Sequence, residues 1–297
     1  MAEITLLDGG MGQELVRRSG DTPTALWSTQ VMQDHPGLVQ SIHADFFAAG
    51  STIATSNTYA LHRDRMVGTE VEGLMSDLYA RALQEATAAR DNHGSGRIAG
   101  AIGPLVASYR PDLHPASETA VALFTEVAAY LAQDCDLVIC ETVASLAHAR
   151  DVLEAAATTG KPVWLAMTVD DRDGTRLRSG EAVADVLPIA ENGAAALLLN
   201  CSSPEAITTA LNQIKGASLP FGAYANGFEK IADGFLKDKP TVDALTLRRD
   251  FTPAAYADHV MNWVDHGATI VGGCCEVSPA HIAEIARRLR AAGHTIV

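Results

Sequence analysis

Short apolar runs rich in β-branched residues alternate along the whole chain with longer segments of helical period. This alternation is the pattern of parallel strands joined by crossover helices, and it restricts the fold more than any other feature. Eight strands are predicted, at Ile4 to Gly9, Ser51 to Ser56, Arg97 to Ile102, Asp136 to Cys140, Pro162 to Val169, Ala195 to Asn200, Phe221 to Ala225 and Ala268 to Gly272. Eight strand–helix units in 297 residues predict an α/β fold, a (β/α)8 TIM barrel made by one domain over residues 1–297.

The predicted helices have residues typical of helix ends at their boundaries. Pro36 lies just before the run Leu38 to Ala49, and Gly50 follows that run. A second run extends from Ser117 to Ala132, and Ser278-Pro279 precedes the last helix. Proline favours the first helical turn and glycine the position after the last, so these residues support separate helices between the strands.

Two features bear on the choice of a barrel. The alternative is an open doubly wound sheet, but its signature G-x-G-x-x-G is missing after the first strand, where Asp8 to Gln13 reads DGGMGQ. A division into two domains also stays open. The stretch from Phe228 to Phe251 is long, charged and carries Pro240, which predicts a surface excursion or a lid over the barrel mouth.

The charge of the chain restricts its partners. Lys and Arg total 22 against 36 Asp and Glu, so the formal net charge is -14, and neither sign forms a long block. This balance argues against nucleic acid and anionic membranes as partners. Met1 to Gly10 lacks a leader pattern, and no run reaches the roughly 18 apolar residues of a spanning helix. We therefore expect a cytoplasmic protein; the sequence carries no signal of its oligomeric state.

The cysteines are better explained by metal binding or burial than by disulfides. They number 5, an odd count, and Cys274 and Cys275 are adjacent. A disulfide between neighbouring residues would be badly strained, and cytoplasmic thiols stay reduced. Cys135, at the end of a predicted helix, and Cys140, in the fourth strand, are predicted to be core residues.

Polar residues follow most of the predicted strands. These strand ends read Asp8-Gly9-Gly10, Ser56-Asn57-Thr58-Tyr59, Gly103-Pro104, Cys140-Glu141-Thr142, Asn200-Cys201, Tyr224-Ala225-Asn226-Gly227 and Gly272-Gly273-Cys274-Cys275-Glu276. In a barrel of this type the chemistry gathers at the C-terminal ends of the strands. Strands six and eight lie two apart around the ring, so the thiols of Cys201, Cys274 and Cys275 are expected to meet. Gly272 and Gly273 would let the last strand end bend, so that both neighbouring thiols face one point.

Three thiolates at one point predict a zinc site. They suit Zn²⁺, with Zn–S distances of about 2.3 Å, and leave one of its four tetrahedral positions open for a substrate. Ordinary burial is the alternative for any single cysteine, but three at strand ends, two of them adjacent, favour the metal. A zinc hydrolase fits less well, because the motif H-E-x-x-H is absent.

Three motifs together carry a family resemblance that runs nearly end to end. They are Asp8-Gly9-Gly10-Met11-Gly12-Gln13-Glu14-Leu15, Asn200-Cys201 and Gly272-Gly273-Cys274-Cys275, accompanied by Trp27 ahead of His35-Pro36, Thr55 to Tyr59, Gly103-Pro104, Glu141-Thr142 and Ser179-Gly180-Glu181. With these motifs the chain resembles the homocysteine S-methyltransferase family. The resemblance implies a (β/α)8 barrel in which Cys201, Cys274 and Cys275 bind zinc. It also implies that homocysteine enters as the fourth ligand through its sulfur.

Methylation of a thiol needs the thiolate form. A free alkyl thiol is mostly protonated at neutral pH, since its reference pKa is about 8.5, whereas coordination to zinc deprotonates it. Three cysteinates overcompensate the charge of the dication, so a fourth thiolate keeps negative charge and nucleophilicity. The predicted reaction is therefore zinc-dependent methylation of the homocysteine sulfur, which gives methionine.

The head group of homocysteine needs partners for its ammonium and its carboxylate. Asp8 and Glu141 are predicted to bind the ammonium, and the resemblance supports both; a turn or helix cap is the alternative role for Asp8. The backbone N–H groups of the Gly9-Gly10-Met11 turn are predicted to bind the carboxylate, because glycine permits close approach. Asn57 and Asn226, at other strand ends, complete the predicted substrate-binding residues.

The methyl donor is the least constrained part of the prediction. A sulfonium or quaternary ammonium donor carries positive charge that the faces of Trp27 and Tyr59 can stabilise, with plain packing as the alternative for both rings. Betaine users of the family have an aromatic residue directly after the residue matching Glu141, where this chain has Thr142. S-Methylmethionine is therefore favoured, S-adenosylmethionine and betaine stay open, and so does a related thiol or selenol as acceptor.

Two rival functions follow from the same site. One is the homocysteine-activating component of a cobalamin-dependent methionine synthase, which would need a separate protein to supply the methyl group. A methyl donor that works with the purified chain alone excludes it. The other is a noncatalytic zinc- or thiol-binding protein, since fold and metal do not establish turnover. It predicts that metal and homocysteine bind but that no donor yields methionine.

Overall fold

The computed structural model describes residues 1–21, 28–231 and 245–297. Trp27, predicted to face a cationic donor, lies outside the described residues, as do residues 232–244 of the predicted lid, including Pro240. The two flanks of that stretch are described. Phe228 is buried and pairs with Leu247 in an isolated antiparallel bridge.

Strands of one sheet run through the described part of the chain. They are β1 (Glu3–Leu6), β2 (Ile53–Thr55), β3 (Arg97–Ile102), β4 (Leu137–Val143), β5 (Val163–Met167), β6 (Ala196–Asn200), β7 (Phe221–Tyr224), β8 (Ile270–Val271) and β9 (Thr295–Ile296). The first eight match the predicted strands, with ends shifted by a few residues. The prediction lacks β9, because a strand of two residues shows no periodicity in a sequence.

Helices connect the strands. They are α1 (Met11–Ser19), α2 (Ser28–Asp34), α3 (Leu38–Ala49), α4 (Arg63–Met66), α5 (Met75–His93), α6 (Ser117–Leu131), α7 (Leu146–Ala157), α8 (Leu187–Gly193), α9 (Pro204–Ile214), α10 (Pro253–Asp265) and α11 (Pro279–Ala291). Gly50 ends α3 in the left-handed conformation, with φ 110°, and Ser278 forms a capping box with His281. Among the described residues, no helix combines the length and hydropathy needed to cross a membrane.

The sheet is parallel and curls so that β1 pairs with β8 on one side and approaches β2 on the other. Its order is β2-β3-β4-β5-β6-β7-β8-β1-β9. The Thr52 N–H donates to the Leu6 carbonyl at 2.7 Å, and the Thr55 N–H donates to the Asp8 carboxylate at 2.7 Å. These two bonds are termed the β1–β2 seam. The predicted α/β class is confirmed, and the curled sheet is consistent with a TIM-like barrel.

Strand residues alternate between two apolar clusters, because successive side chains of a strand point to opposite faces. In β4, Leu137 and Ile139 belong to the inner cluster, whereas Val138 and Cys140 belong to the cluster that contains the helices. The inner cluster contains Leu7, Ile53, Ala99, Ala101, Leu137, Ile139, Trp164, Ala166, Ala196, Leu198, Tyr224 and Ile270. Cys135 and Cys140 are buried in the helix-containing cluster, as predicted.

Candidate active site and metal centre

A cavity of about 540 Å³ lies at the C-terminal ends of the strands. Predicted site residues that line it are Asp8, Gly9, Gly10, Met11, Asn57, Tyr59, Glu141, Cys201, Cys274 and Cys275. Asn226 does not line it, because its side-chain oxygen turns back to accept the N–H of Phe228 at 3.2 Å. The position of Asn226 therefore gives no support to its predicted contact with substrate.

The three thiols predicted to meet lie side by side. The sulfur atoms of Cys201, Cys274 and Cys275 are all within 4.8 Å of one another, and Cys201 and Cys275 are 3.9 Å apart. Two sulfurs bound tetrahedrally at about 2.3 Å from one zinc ion would be roughly 3.8 Å apart. Cys201 is buried, whereas Cys274 and Cys275 are half-buried, and all three line the cavity. A small ion can therefore reach the three thiols from the cavity. The donor set therefore fits a zinc ion with an open fourth position.

Without a cation, the three thiols do not ionise together. Hydrogen bonds from Cys274 and Cys275 hold the pKa of Cys201 well below its usual value. The interaction with Cys201 and burial raise the pKa values of Cys274 and Cys275 well above theirs. The cluster thus accommodates one thiolate and two thiols by itself. Three thiolates need the positive charge of a metal ion.

Glycine is required where the end of β8 approaches β1 and the next loop. A Cβ atom on Gly272 would lie 2.5 Å from Cβ of Leu7, and one on Gly273 would lie 2.0 Å from Cγ1 of Val277. Neither glycine has a positive φ. The bend predicted from these residues is therefore a matter of close packing, which seats the loop that carries Cys274.

We expect Gly273→Ala to displace this loop and to lower the zinc content of the purified protein. Overpacking of this kind costs about 1–3 kcal/mol, and the added methyl group meets a β-branched side chain that has little freedom to move. Zinc per chain and thermal unfolding measure the two effects. Gly216→Ala is the matched control, because a Cβ there has nothing within 4 Å. Full zinc content and unchanged stability of Gly273→Ala would show that the loop tolerates a side chain.

Strained backbone is concentrated around the cavity. The non-glycine residues with positive φ in the described ranges are Val106 (59°), Tyr109 (63°), Thr142 (57°), Cys201 (50°) and Glu276 (68°). The first four line the cavity and the fifth follows Cys275. Each such residue costs on the order of 1–3 kcal/mol and persists where its surroundings fix it, as at functional sites. At Thr142 the register between β4 and β5 shifts, and this bulge turns Glu141 toward the cavity.

Asp8 is a buried carboxylate at the head of the cavity. It accepts the Thr55 N–H at 2.7 Å and the Thr55 hydroxyl at 2.8 Å. Burial raises the pKa of Asp8 to about 7, although both hydrogen bonds act in the opposite direction. Burial also lowers the pKa of His43, 3.9 Å away, to about 3, so this neighbour is neutral. Asp8 therefore has no cationic partner within 4.0 Å among the described residues.

Glu141 faces the same cavity from β4. Its Oε1 accepts the hydroxyl of Tyr224 at 2.8 Å. Burial raises the pKa of Glu141 to about 8, and the negative charges of Cys201 and Asp8 add to the increase. A cation between Asp8 and Glu141 would relieve this repulsion, which suits the ammonium predicted for these two residues.

The backbone around Gly10 differs from the predicted carboxylate site. The N–H of Gly10 donates to the Val277 carbonyl at 2.9 Å, and that of Met11 donates to the Gly9 carbonyl at 2.9 Å. Both groups are therefore already used. The N–H groups of Gly12-Gln13, in the first turn of α1 and on the cavity wall, have no backbone acceptor in the described ranges. Of the three predicted groups, the N–H of Gly9 has no backbone acceptor in the described ranges, so a carboxylate bound here would use it or the N–H groups of Gly12-Gln13.

A sequence profile of the family described as homocysteine S-methyltransferase matches residues 5–289. The chain belongs to the homocysteine S-methyltransferase family. It is 28% identical to the homocysteine S-methyltransferase of Escherichia coli K12 over 305 residues, which cover 96% of this chain and 95% of the relative. It is 25% identical to the selenocysteine Se-methyltransferase of Brassica oleracea var. italica, over 96% of this chain and 88% of the relative.

A solved structure of a homocysteine S-methyltransferase resembles this one. The metallated form of the Escherichia coli homocysteine methyltransferase MmuM superimposes with a TM-score of 0.79 at 26% sequence identity. The match covers 96% of both chains. The resemblance inferred from the motifs is thereby confirmed, and the relative is known to take up a metal.

Tyr109 lies beside the thiols, although it is not among the residues predicted from the sequence. Its hydroxyl donates to the sulfur of Cys201 at 3.2 Å, and the guanidinium of Arg178 lies over its ring at 5.2 Å from the centroid. Arg178 is paired with Asp171 at 2.9 Å. Burial raises the pKa of Tyr109 well above its usual value, so the phenol remains a donor. No motif marks Tyr109, which lies in the loop between β3 and α6.

Tyr59, predicted for the methyl donor, and Asn57, predicted to bind substrate, both have protein partners. The hydroxyl of Tyr59 is 2.8 Å from that of Ser108, and its ring lines the cavity. The amide nitrogen of Asn57 donates to the Ser28 carbonyl at 3.3 Å, and Asn57 is buried. Asn57 therefore shapes the wall, while Tyr59 offers a ring face to a ligand.

Proposed function

We propose that this protein transfers a methyl group from a sulfonium donor to the thiol of homocysteine, with zinc bound by Cys201, Cys274 and Cys275. One observation carries the proposal: three adjacent thiols and the carboxyl groups of Asp8 and Glu141 share a single cavity. We favour S-methylmethionine as the donor over S-adenosylmethionine and betaine. We also propose that residues 1–297 form one (β/α)8 barrel domain and that the protein works in the cytoplasm, where its five free cysteines stay reduced.

The ion would hold the sulfur of homocysteine as a thiolate at neutral pH. Asp8 and Glu141 bind the ammonium of the same molecule, and its positive charge favours the ionised form of both buried carboxyl groups. The N–H groups of Gly12-Gln13 bind the carboxylate. Homocysteine is thus fixed at both ends, with its sulfur beside the thiol cluster.

The methyl transfer is a direct displacement between two sulfur atoms. A lone pair of the homocysteine sulfur forms the new S–CH3 bond, while the S–CH3 bond of the donor breaks and its electrons stay on the donor sulfur. The donor leaves as a neutral thioether and the acceptor becomes methionine. Positive charge moves off the donor during the step, so the protein has to align two sulfurs across the cavity and exclude water. Tyr59 offers an aromatic face to the cationic donor.

We expect Tyr109→Phe to weaken zinc binding and to lower kcat/KM, each by about 10-fold. Partners that hydrogen-bond a metal ligand typically change metal affinity or activity by roughly 10- to 100-fold when removed. The phenylalanine keeps the ring under Arg178 and removes the hydroxyl that donates to Cys201. Competition with a chelator measures the affinity. Tyr130→Phe, in α6, is the control; equal zinc affinity in both variants would deny the bond a role.

The proposal is tested by incubating the zinc-loaded protein with homocysteine and one donor at a time. S-Methylmethionine, S-adenosylmethionine and betaine are compared, and methionine is measured by mass spectrometry. We expect methionine from S-methylmethionine without any added protein, which also excludes a cobalamin-dependent partner. Full zinc content and homocysteine binding without methionine from any donor would leave a binding protein instead. Selenocysteine as acceptor belongs in the same assay, since one relative is named for it.

A further inference from the structure

Two charged residues on the cavity wall lie outside the homocysteine site. Asp64 and Arg65 belong to the short helix α4 and line the cavity together with Val67 and Val106. Neither has an oppositely charged group within 4.0 Å among the described residues. Many other charged side chains in the described part of the chain form ion pairs on the surface, such as Arg63 with Glu126 and Arg287 with Glu284. An unpaired cation and an unpaired anion, adjacent in a cavity, complement a zwitterion.

Arg65 is held so that part of its guanidinium stays unused. Its Nη2 donates to the Pro104 carbonyl at 2.6 Å, and its Cζ lies 5.8 Å from the ring centroid of Tyr59. Its Nε is buried and has no partner in the described residues. A half-buried guanidinium with an unsatisfied N–H is costly, because the group has lost water without gaining an acceptor. A carboxylate is the ligand that its planar fork of donors fits.

Only one carboxylate oxygen of Asp64 has a hydrogen-bond partner among the described residues. Its Oδ2 accepts the N–H of Val106, a residue in the left-handed conformation with φ 59°. Its Oδ1 is buried and has no hydrogen-bond partner among the described residues. One oxygen therefore fixes the loop after β3. The other has capacity for a cationic donor such as an ammonium.

Tyr59 connects this pair of residues to the thiols. Its ring contacts the guanidinium of Arg65, and its hydroxyl is 2.8 Å from that of Ser108. Burial raises the pKa of Tyr59, the charge of Cys201 raises it further, and Arg65 lowers it. Tyr59, Arg65 and the three thiols all line the same cavity. A molecule anchored on Arg65 would therefore have a path past the ring of Tyr59 toward the sulfur that is to be methylated.

We infer that Arg65 and Asp64 bind the charged head group of the methyl donor, Arg65 its carboxylate and Asp64 its ammonium. The donor is then a sulfonium α-amino acid, whose methylated sulfur lies at the far end from the head group. This inference rests on the proposed function and names the substrate class of the same site. Betaine has a carboxylate but no N–H donor for Asp64, so it satisfies half of the subsite.

The test compares three methyl donors that differ in whether they carry a carboxylate and an ammonium. S-Methylmethionine has a carboxylate and an ammonium, dimethylsulfoniopropionate has only the carboxylate, and trimethylsulfonium has neither. We expect Arg65→Gln to raise the KM of the first two by about 10- to 100-fold and that of trimethylsulfonium by less than about 3-fold. Asp64→Asn, which keeps an oxygen for the N–H of Val106, should affect S-methylmethionine alone. The KM of homocysteine should not change in either variant.

Several results decide the matter. An equal loss with all three donors, or no loss with any, overturns the subsite even if the wild-type protein makes methionine. Arg65→Lys keeps the charge, so it should recover part of the loss in Arg65→Gln; a loss as large as in Arg65→Gln would indicate a structural defect. If the wild type makes no methionine at all, the proposed function fails. Calorimetric titration with S-methylmethionine then decides the subsite: weaker binding to Arg65→Gln supports it, and equal binding or none overturns it.

Discussion

Replacing Cys274 with alanine is expected to remove zinc and to lower kcat/KM by at least about 1,000-fold, a loss of roughly 4 kcal/mol in transition-state stabilisation. Two sulfurs would remain where three lie within 4.8 Å, which is one protein ligand fewer than the three that hold a catalytic zinc ion. The loss should therefore appear in binding and in turnover together. Zinc per chain and the absorption of the cobalt-substituted protein measure metal binding, and methionine formation measures turnover.

Cys140→Ala is the matched control for this experiment. Cys140 is fully buried in the cluster that contains the helices and has no part in the cavity wall. Its replacement should lower stability by about 1 kcal/mol through a small cavity, with zinc content unchanged. A Cys274→Ala protein that retained one zinc ion and full activity would refute the assignment of the metal ligands.

Glu141→Gln is expected to lower kcat/KM for homocysteine by about 100-fold and to leave zinc content unchanged. The carboxylate is buried, so its replacement leaves an ammonium that has lost water with one anionic partner, Asp8, instead of two. Removing one partner from a buried charge pair commonly costs about 2–5 kcal/mol. Glu85→Gln is the control, because Glu85 is buried elsewhere and accepts N–H groups of Gly37 and Gln40.

The pH dependence of the homocysteine KM gives Glu141 a signature that a folding defect would not have. With a pKa of about 8, Glu141 is mostly protonated at pH 7 and ionised above pH 8. An ammonium binds the ionised form, so affinity should rise as the pH increases through about 8 and fall again where the ammonium of homocysteine itself loses its proton. In Glu141→Gln the rise should move to about 7, where Asp8 titrates. An unchanged profile would place the ammonium elsewhere.

The sequence predicts the sheet well because the signal is local. A short apolar run such as Ala196–Asn200 can be recognised as a strand from its own residues, without knowing which strands lie beside it. β9 is too short for this. The thiols are also predictable, because Cys201 directly follows β6, Cys274 comes three residues after the end of β8, and the order of the strands brings these two ends together.

Other site residues could not be predicted because they lie on loops whose paths are set by tertiary contacts. Tyr109 reaches Cys201 only because the loop after β3 folds inward in a left-handed conformation, and nothing in its neighbouring residues indicates this. Arg65 lies ten residues beyond the end of β2, at Thr55, and appears as one surface charge among many. The sequence also does not show that Val277 accepts the N–H of Gly10 or that Gly9 accepts the N–H of Met11.

The β1–β2 seam gives substrate binding a second consequence. This join lacks the strand ladder that holds the other neighbours together, and one of its bonds ends on the Asp8 carboxylate proposed to receive the ammonium. A ligand that binds only the closed ring stabilises it, by about 2.7 kcal/mol at a concentration 100 times its Kd. Homocysteine would then stabilise the join between β1 and β2. Without a ligand, the β1–β2 seam should open locally more often. With homocysteine bound, it should open least.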